Sequence, residues 1–159
     1  MRSPGAGVAQ PESARQATGV IDCHFVMSHE SKVPRAPRVL CAEDDSAVAV
    51  ALKRAIENTG CSVDWVRDGA DAFARITQNG TVYDVLVTDH EMPKLSGLGL
   101  VSKLRDTGFA GAIIVFSSRL KEADVQVYRA LAVDRILEKP ASLRVLMDAL
   151  REVMEPPIQ

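Results

Sequence analysis

From Arg38 onward, short apolar runs alternate with stretches in which apolar residues recur every three or four positions. Continuous runs suit strands buried on both faces, and the wider spacing suits helices with one buried side. Val39-Leu40-Cys41-Ala42 predicts a first strand that runs into Glu43-Asp44-Asp45. Val48, Leu52, Ala55 and Ile56 then recur at helical spacing, and Gly60 marks the stop. Ser62 to Val66 predicts a second strand, followed by a helix from about Ala70 to Gln78 that stops at Gly80. Val82 to Thr88 predicts a third strand, apolar apart from Asp84, which leads into Asp89. A third helix starts near Leu98 and ends by Gly108, and Ala112 to Phe116 reads as a fourth strand before Ser117-Ser118. A fourth helix spans roughly Glu122 to Leu131, and Arg135 to Glu138 is a short fifth strand before Lys139-Pro140. The last helix carries Leu143, Met147, Leu150 and Met154 on one face and ends before Pro156-Pro157.

Strands alternating with helices in this way predict an α/β fold: a doubly wound, five-stranded parallel sheet with helices on both faces. Right-handed crossovers then place the C-terminal ends of the strands along one edge. The front of the chain differs. Pro4, Pro11, Pro34 and Pro37 lie there with little hydrophobic periodicity around them. Such a stretch cannot bury enough surface to offset an ordering cost of about 1–2 kcal/mol per residue. Residues 1–37 are therefore expected to be a flexible arm, or an extension upstream of a true start at Met27. Residues 38–155 are expected to form the domain and 156–159 a short tail.

Composition narrows the partners. Of 159 residues, 47% are hydrophobic and 25% charged, which fits one folded domain and excludes global disorder. Nineteen basic against 21 acidic residues leave a net charge of -2, so neither nucleic acid nor an anionic membrane is an expected partner. An aromatic content of 4% argues against a stacking platform for single strands. No apolar run approaches the roughly 18 residues a membrane-spanning helix needs. Cys23, Cys41 and Cys61 lack metal-ligand spacing and suit a reducing compartment. Asp22 and His24 interrupt the nearest approach to a signal peptide, so a cytoplasmic location is expected.

In an open α/β sheet, function sits beyond the C-terminal strand ends. Here the first strand ends in Glu43-Asp44-Asp45, the third in Asp89, the fourth in Ser117 and the fifth in Lys139. If the first and third strands are neighbours, carboxylates converge, and such groups raise one another's pKa or require a cation. Oxygen ligands without His or Cys suit Mg²⁺, with Mn²⁺ as an alternative. Asp89 is then placed to attack phosphorus and form an acyl phosphate, with Mg²⁺, Lys139 and the Ser117 hydroxyl holding the phosphoryl oxygens. Each residue alone has a plainer reading. An acid after a strand is more often a helix cap, a serine a turn residue, and a lysine a solvated charge. Their joint placement at four strand ends is harder to attribute to chance.

Glu43-Asp44, Asp89-His90-Glu91-Met92-Pro93 with Gly97, Ser117 and Lys139-Pro140 follow in order. In these motifs, and over roughly Arg38 to Glu155, the chain resembles the receiver domain of two-component response regulators. The resemblance implies the flavodoxin-like strand order 2-1-3-4-5. It makes Asp89 the acceptor of a phosphoryl group from a histidine kinase or histidine phosphotransfer protein. Glu43 and Asp44 would hold Mg²⁺, Asp44 more directly, with Asp89 and the backbone carbonyl of Glu91. Asp45 falls one position beyond that pair and is read as a helix cap. Ser117 matches the switch hydroxyl and Lys139 the phosphoryl-contacting lysine, whose bond to Pro140 is expected to be cis. Glu91 and Arg119 match positions that tune acyl-phosphate lifetime.

The chain departs from the pattern in two places. Ile136 stands three residues before the lysine, where the family often carries Tyr or Phe, and Val133-Asp134 stands where Gly-Ala is often found. The leading reading is a stand-alone phosphorylatable receiver, not a conventional enzyme, that transfers the phosphoryl group to itself, loses it to water, and signals through an unidentified protein partner. Lys121, Glu122, Asp124, Gln126 and Arg129 are candidates for that contact, although a solvated helix face explains each of them more simply. Direct DNA binding is not expected, because too little chain follows residue 155 for a DNA-binding domain. The alternatives are a pseudo-receiver binding module without phosphoryl traffic and an aspartyl-phosphate phosphatase. Retention of all five chemical positions counts against the first. Glu91, where phosphatases resembling haloacid dehalogenases need a second Asp, counts against the other.

Overall fold

In the computed structural model, β1 (Arg38–Ala42), β2 (Ser62–Val66), β3 (Val85–Thr88), β4 (Ala112–Ser117) and β5 (Arg135–Glu138) alternate with five helices. These are α1 (Ser46–Glu57), α2 (Gly69–Gln78), α3 (Gly97–Asp106), α4 (Glu122–Ala130) and α5 (Leu143–Met154). The structure describes residues 35–78 and 80–155. Residues 1–34 of the arm expected over 1–37, the alternative start at Met27 and the tail 156–159 lie outside the described residues.

The strands are all parallel, in the order β2-β1-β3-β4-β5. That is the doubly wound, flavodoxin-like order. The chain moves outward from β1 to β2, then crosses back to place β3 on the other side of β1. Strand order reverses between β1 and β3, whose last residues pair as Ala42 with Thr88. A crevice for ligands is expected at this reversal.

Alternate strand residues feed two cores. Val39, Cys41, Val87 and Ile114 pack with Leu52 and Ile56 of α1 and Leu146 and Leu150 of α5. Leu40, Leu86, Ile113 and Val115 pack with Leu100 and Leu104 of α3 and Tyr128 of α4. Burial on both faces explains why the strands read as continuous apolar runs. Each fully buried Leu or Ile is worth roughly 1.5–3 kcal/mol over its exposed state. The strand ends are thus the termini of a rigid layer.

Regular pairing in β3 begins at Val85, later than the Val82 start that apolarity predicts. Asp84 explains the difference. Its N–H still reaches the Arg38 carbonyl at 2.9 Å, but its carboxylate takes the Arg38 N–H at 2.7 Å and the Arg35 guanidinium at 2.7 and 2.8 Å. Tyr83 turns inward and donates its hydroxyl to Asp64 at 2.7 Å, while Val82 is exposed. The Pro37 carbonyl accepts the Ser62 N–H at 2.8 Å, so the chain is tied to the sheet before β1 begins.

The end of α4 differs from expectation in detail. Its left-handed residue is Ala132, at φ 53°, one position before the Val133-Asp134 pair. Glycine is favoured at such helix ends. Arg105 of α3 holds this turn, donating to the carbonyls of Leu131 at 3.1 Å and Ala132 at 2.8 Å. Asp134 accepts the Ile113 N–H at 2.8 Å, which aligns the start of β5 with β4. Among the described residues, no helix is long and apolar enough to cross a membrane.

Candidate functional site

The last rungs of β1 fix where the acidic residues begin. The Ala42 carbonyl accepts the Asp89 N–H at 2.9 Å, and the Glu43 N–H donates to Val66 at 3.1 Å. Asp45 then caps α1, accepting the N–H groups of Ala47 at 2.8 Å and Val48 at 3.2 Å. Its carboxylate is committed to the helix terminus, as the cap reading expects. Glu43, Asp44 and Asp89 remain, each offering an oxygen within 4.8 Å of the others. Glu43 is buried and Asp44 exposed, with Asp89 between these extremes.

Lys139 enters from β5. Its ammonium lies 2.8 Å from Glu43 Oε2, 3.8 Å from Asp89 Oδ1 and 5.1 Å from the centre of the Phe116 ring. Burial lifts the Glu43 carboxyl above its ordinary pKa; the Lys139 hydrogen bond and charge oppose this, and the Asp89 charge adds to it. Asp89 Oδ1 is buried without a hydrogen-bond partner among the described residues, since 3.8 Å to Lys139 is too long. Three carboxylates meet here, two of them beside one ammonium, and with one oxygen orphaned they form a donor set that fits a hard divalent cation. Glu43, Asp44 and Asp89 could hold Mg²⁺ without any further protein ligand, because this ion tolerates few.

The surrounding backbone explains why these side chains meet. Thr88 Oγ1 donates to the Asp89 carbonyl at 2.9 Å, and the Gly97 N–H donates to that of His90 at 2.9 Å. A Cβ at Gly97 would lie 2.1 Å from the Asp89 carbonyl oxygen, so α3 starts this close only with glycine there. On the other side, the Lys139 N–H donates to the Ser117 carbonyl at 2.8 Å, and the Lys139–Pro140 bond is cis. Ser117 is buried at the end of β4, and among the described residues its Oγ accepts only a long 3.5 Å contact from the Arg119 N–H. Arg119 and Glu91 meet 3.4 Å apart at the exposed rim. A groove of about 600 Å³ lined by Asp44, His90, Glu91, Met92, Ser96, Leu98 and Asp124 opens beside the carboxylates.

A family model described as "Response regulator receiver domain" matches residues 39–151. The chain belongs to the response regulator receiver family. The response regulator MprA of Mycobacterium leprae is 32% identical to this receiver over 117 residues, 74% of this chain and 50% of MprA. The transcription factor SKN7 of Chaetomium thermophilum is 31% identical over 104 residues, 65% of this chain and 14% of SKN7. The receiver thus spans half or less of these curated relatives. The solved receiver domain of Francisella response regulator 1452 superposes with a TM-score of 0.67 at 30% identity, covering 74% of this chain and 95% of that one. A receiver domain protein from Clostridium thermocellum shares the fold at TM-score 0.69 and 22% identity, over 74% of this chain and 94% of that one.

Ile136 of this receiver lies half-buried against the core on the α3–α4 side. An aromatic ring does reach that region, from a different element. Tyr128 of α4 is fully buried, and its hydroxyl is 2.9 Å from His90 Nδ1, next to Asp89. Asp124 lies 3.6 Å from the other ring nitrogen of His90. Burial raises the Tyr128 phenol pKa, and the charges of Asp124 and Asp89 raise it further. The helical spacing of Val125, Tyr128 and Leu131 signals an inward ring, but no local pattern names His90 as its partner. No sequence pattern points to Trp65, whose indole N–H donates to the Glu43 carbonyl at 2.8 Å.

Proposed function

We propose that Asp89 accepts a phosphoryl group from the phosphohistidine of a histidine kinase or histidine phosphotransfer protein, and that the modified receiver signals through contact with another protein. The buried, unpartnered Asp89 Oδ1 beside Lys139 carries this reading. A carboxylate oxygen of Asp89 bonds to phosphorus while the donor's P–N bond breaks, and the departing imidazole keeps the electron pair. Lys139 already stands near both Asp89 and Glu43, and it donates to the incoming phosphoryl oxygens. The Ser117 hydroxyl gives up only a weak contact when it turns toward the same group. Glu43, Asp44, Asp89 and the Glu91 backbone carbonyl hold Mg²⁺, or Mn²⁺, in this proposal. When bound, the ion supplies charge neutralisation for the phosphoryl oxygens.

Glu91 and Arg119, at the exposed rim, control how water reaches the acyl phosphate and so set its lifetime. The exposed α4 residues Glu122, Gln126 and Arg129, with Lys121 before them, form part of the contact with the output partner. Neither DNA nor membrane is a direct target in this reading. A reducing, cytoplasmic setting agrees with Cys41 and Cys61, both buried free thiols.

Incubation with acetyl phosphate, with and without Mg²⁺, tests the proposal when wild type is compared with Asp89→Asn by intact mass. The expected result is a phosphoryl adduct that needs both Mg²⁺ and Asp89. Absence of the adduct in wild type would overturn it and favour a binding module without phosphoryl traffic.

A further inference from the structure

Resting on the Mg²⁺ site proposed above, we infer that Trp65 is a positioning residue for the acidic pair, holding the Glu43–Asp44 peptide through its indole N–H. The β1–β2 ladder ends where Ala42 pairs with Val66. Beyond that rung the chain leaves the sheet, and a free loop would let Asp44 wander. Two further bonds prevent this. The Glu43 N–H donates to the Val66 carbonyl at 3.1 Å, and the Glu43 carbonyl accepts the Trp65 Nε1–H at 2.8 Å. Both backbone polar groups of Glu43 are thus satisfied by β2, the second of them by a side chain.

That second bond acts on the peptide plane joining Glu43 to Asp44. The Glu43 side chain is separately fixed by Lys139 at 2.8 Å and the Asp45 N–H at 3.3 Å. No side-chain hydrogen bond to a described residue fixes the exposed Asp44 carboxylate, so its position depends on the backbone that carries it. Rotation of the 43–44 peptide would carry Asp44 away from Asp89. Mg²⁺ requires near-ideal octahedral geometry at about 2.0–2.1 Å, so small displacements of one ligand weaken binding. The Trp65 ring is anchored for this task, packing half-buried against the core shared with α1 and α5. A tryptophan in a strand is ordinary for its packing; the commitment of its N–H to this carbonyl is what assigns it a role.

Two replacements separate the N–H from the ring. Trp65→Phe keeps an aromatic side chain without the donor. Incorporating 3-benzothienylalanine in place of tryptophan exchanges only the N–H for sulfur, and residue 65 is the chain's single tryptophan. The readouts are the Mg²⁺ dissociation constant by calorimetry and the melting temperature without Mg²⁺. The expected result is Mg²⁺ binding about three- to ten-fold weaker for both replacements, the scale of one lost neutral hydrogen bond. The benzothienyl protein should melt within a few degrees of wild type. Equal affinity in the benzothienyl protein and wild type overturns the inference, even if Trp65→Phe is weaker, because the ring alone would then suffice. Failure of wild type to bind Mg²⁺ overturns the proposed function and this inference with it.

Discussion

Replacing Gly97 with alanine should destabilise the receiver and disturb Asp89, whereas the same change at Gly99, on the same helix, should be nearly neutral. At Gly97 the added Cβ would meet the Asp89 carbonyl oxygen at 2.1 Å and His90 Cα at 3.0 Å. Both are backbone atoms, so no rotamer change relieves the clash, and the segments must separate by about 1 Å. Overpacking of this kind costs about 1–3 kcal/mol. Straining the Gly97 N–H bond to His90 adds up to about 1 kcal/mol. Alanine's helix propensity returns at most about 1 kcal/mol, less at the first helical residue. A net loss of about 2 kcal/mol follows. At Gly99 the nearest atom is Leu95 Cδ1 at 2.8 Å, the far end of a flexible side chain, so the propensity gain roughly offsets the adjustment. Urea unfolding followed by the emission of Trp65 gives both differences. A Gly97→Ala protein as stable as wild type, or a Gly99→Ala protein that loses as much, would refute a backbone clash specific to position 97.

Three further outcomes follow from other contacts. Ala132→Gly relieves a left-handed alanine, a strain of roughly 1–2 kcal/mol, and gives back part through unfolded-chain entropy. A net gain of about 0.5–1 kcal/mol should appear as a higher urea midpoint; an unchanged or lower midpoint contradicts the assignment. Lys94 at 2.7 Å and the Asp71 N–H at 2.8 Å hold the Asp68 carboxyl below its usual range. A lowered native pKa contributes stability above the unfolded value near about 3.9 and loses it as pH falls through the native one. Wild type should therefore exceed Asp68→Asn at neutral pH, with the gap closing below about pH 4; a gap that widens in acid refutes this sign. Tyr128→Phe keeps the buried ring but removes the bond to His90, so about 1 kcal/mol should be lost on urea unfolding. No loss would mean that the hydroxyl contributes nothing to stability.

What the chain revealed in advance was whatever depends on local order. The acids after Val39-Leu40-Cys41-Ala42, Asp89 after β3, Ser117 after β4 and Lys139 after β5 are visible because parallel strands align their C-terminal ends. Asp45 is set apart from its neighbours only by the resemblance, in which it falls beyond the acid pair, and the structure shows it capping α1. Apolarity alone places the start of β3 three residues early, because Val82 and Tyr83 are apolar while Asp84 uses its carboxylate on Arg35 and Arg38. Ala132 gave no warning either, since alanine is a good helix former and its positive φ comes from the turn that Arg105 holds. Trp65 and Tyr128 were opaque for a different reason. Their polar atoms reach residues 22 and 38 positions away, and hydrophobic periodicity records burial without recording where an N–H or O–H points.

Everything proposed for the site depends on Asp89 being the phosphoacceptor. Wild-type protein incubated with acetyl phosphate and Mg²⁺ can be reduced with borohydride, which converts an aspartyl phosphate into homoserine, and then digested and sequenced by tandem mass spectrometry. Homoserine is expected at position 89, dependent on both donor and Mg²⁺. Homoserine at another aspartate, or at none, would contradict it.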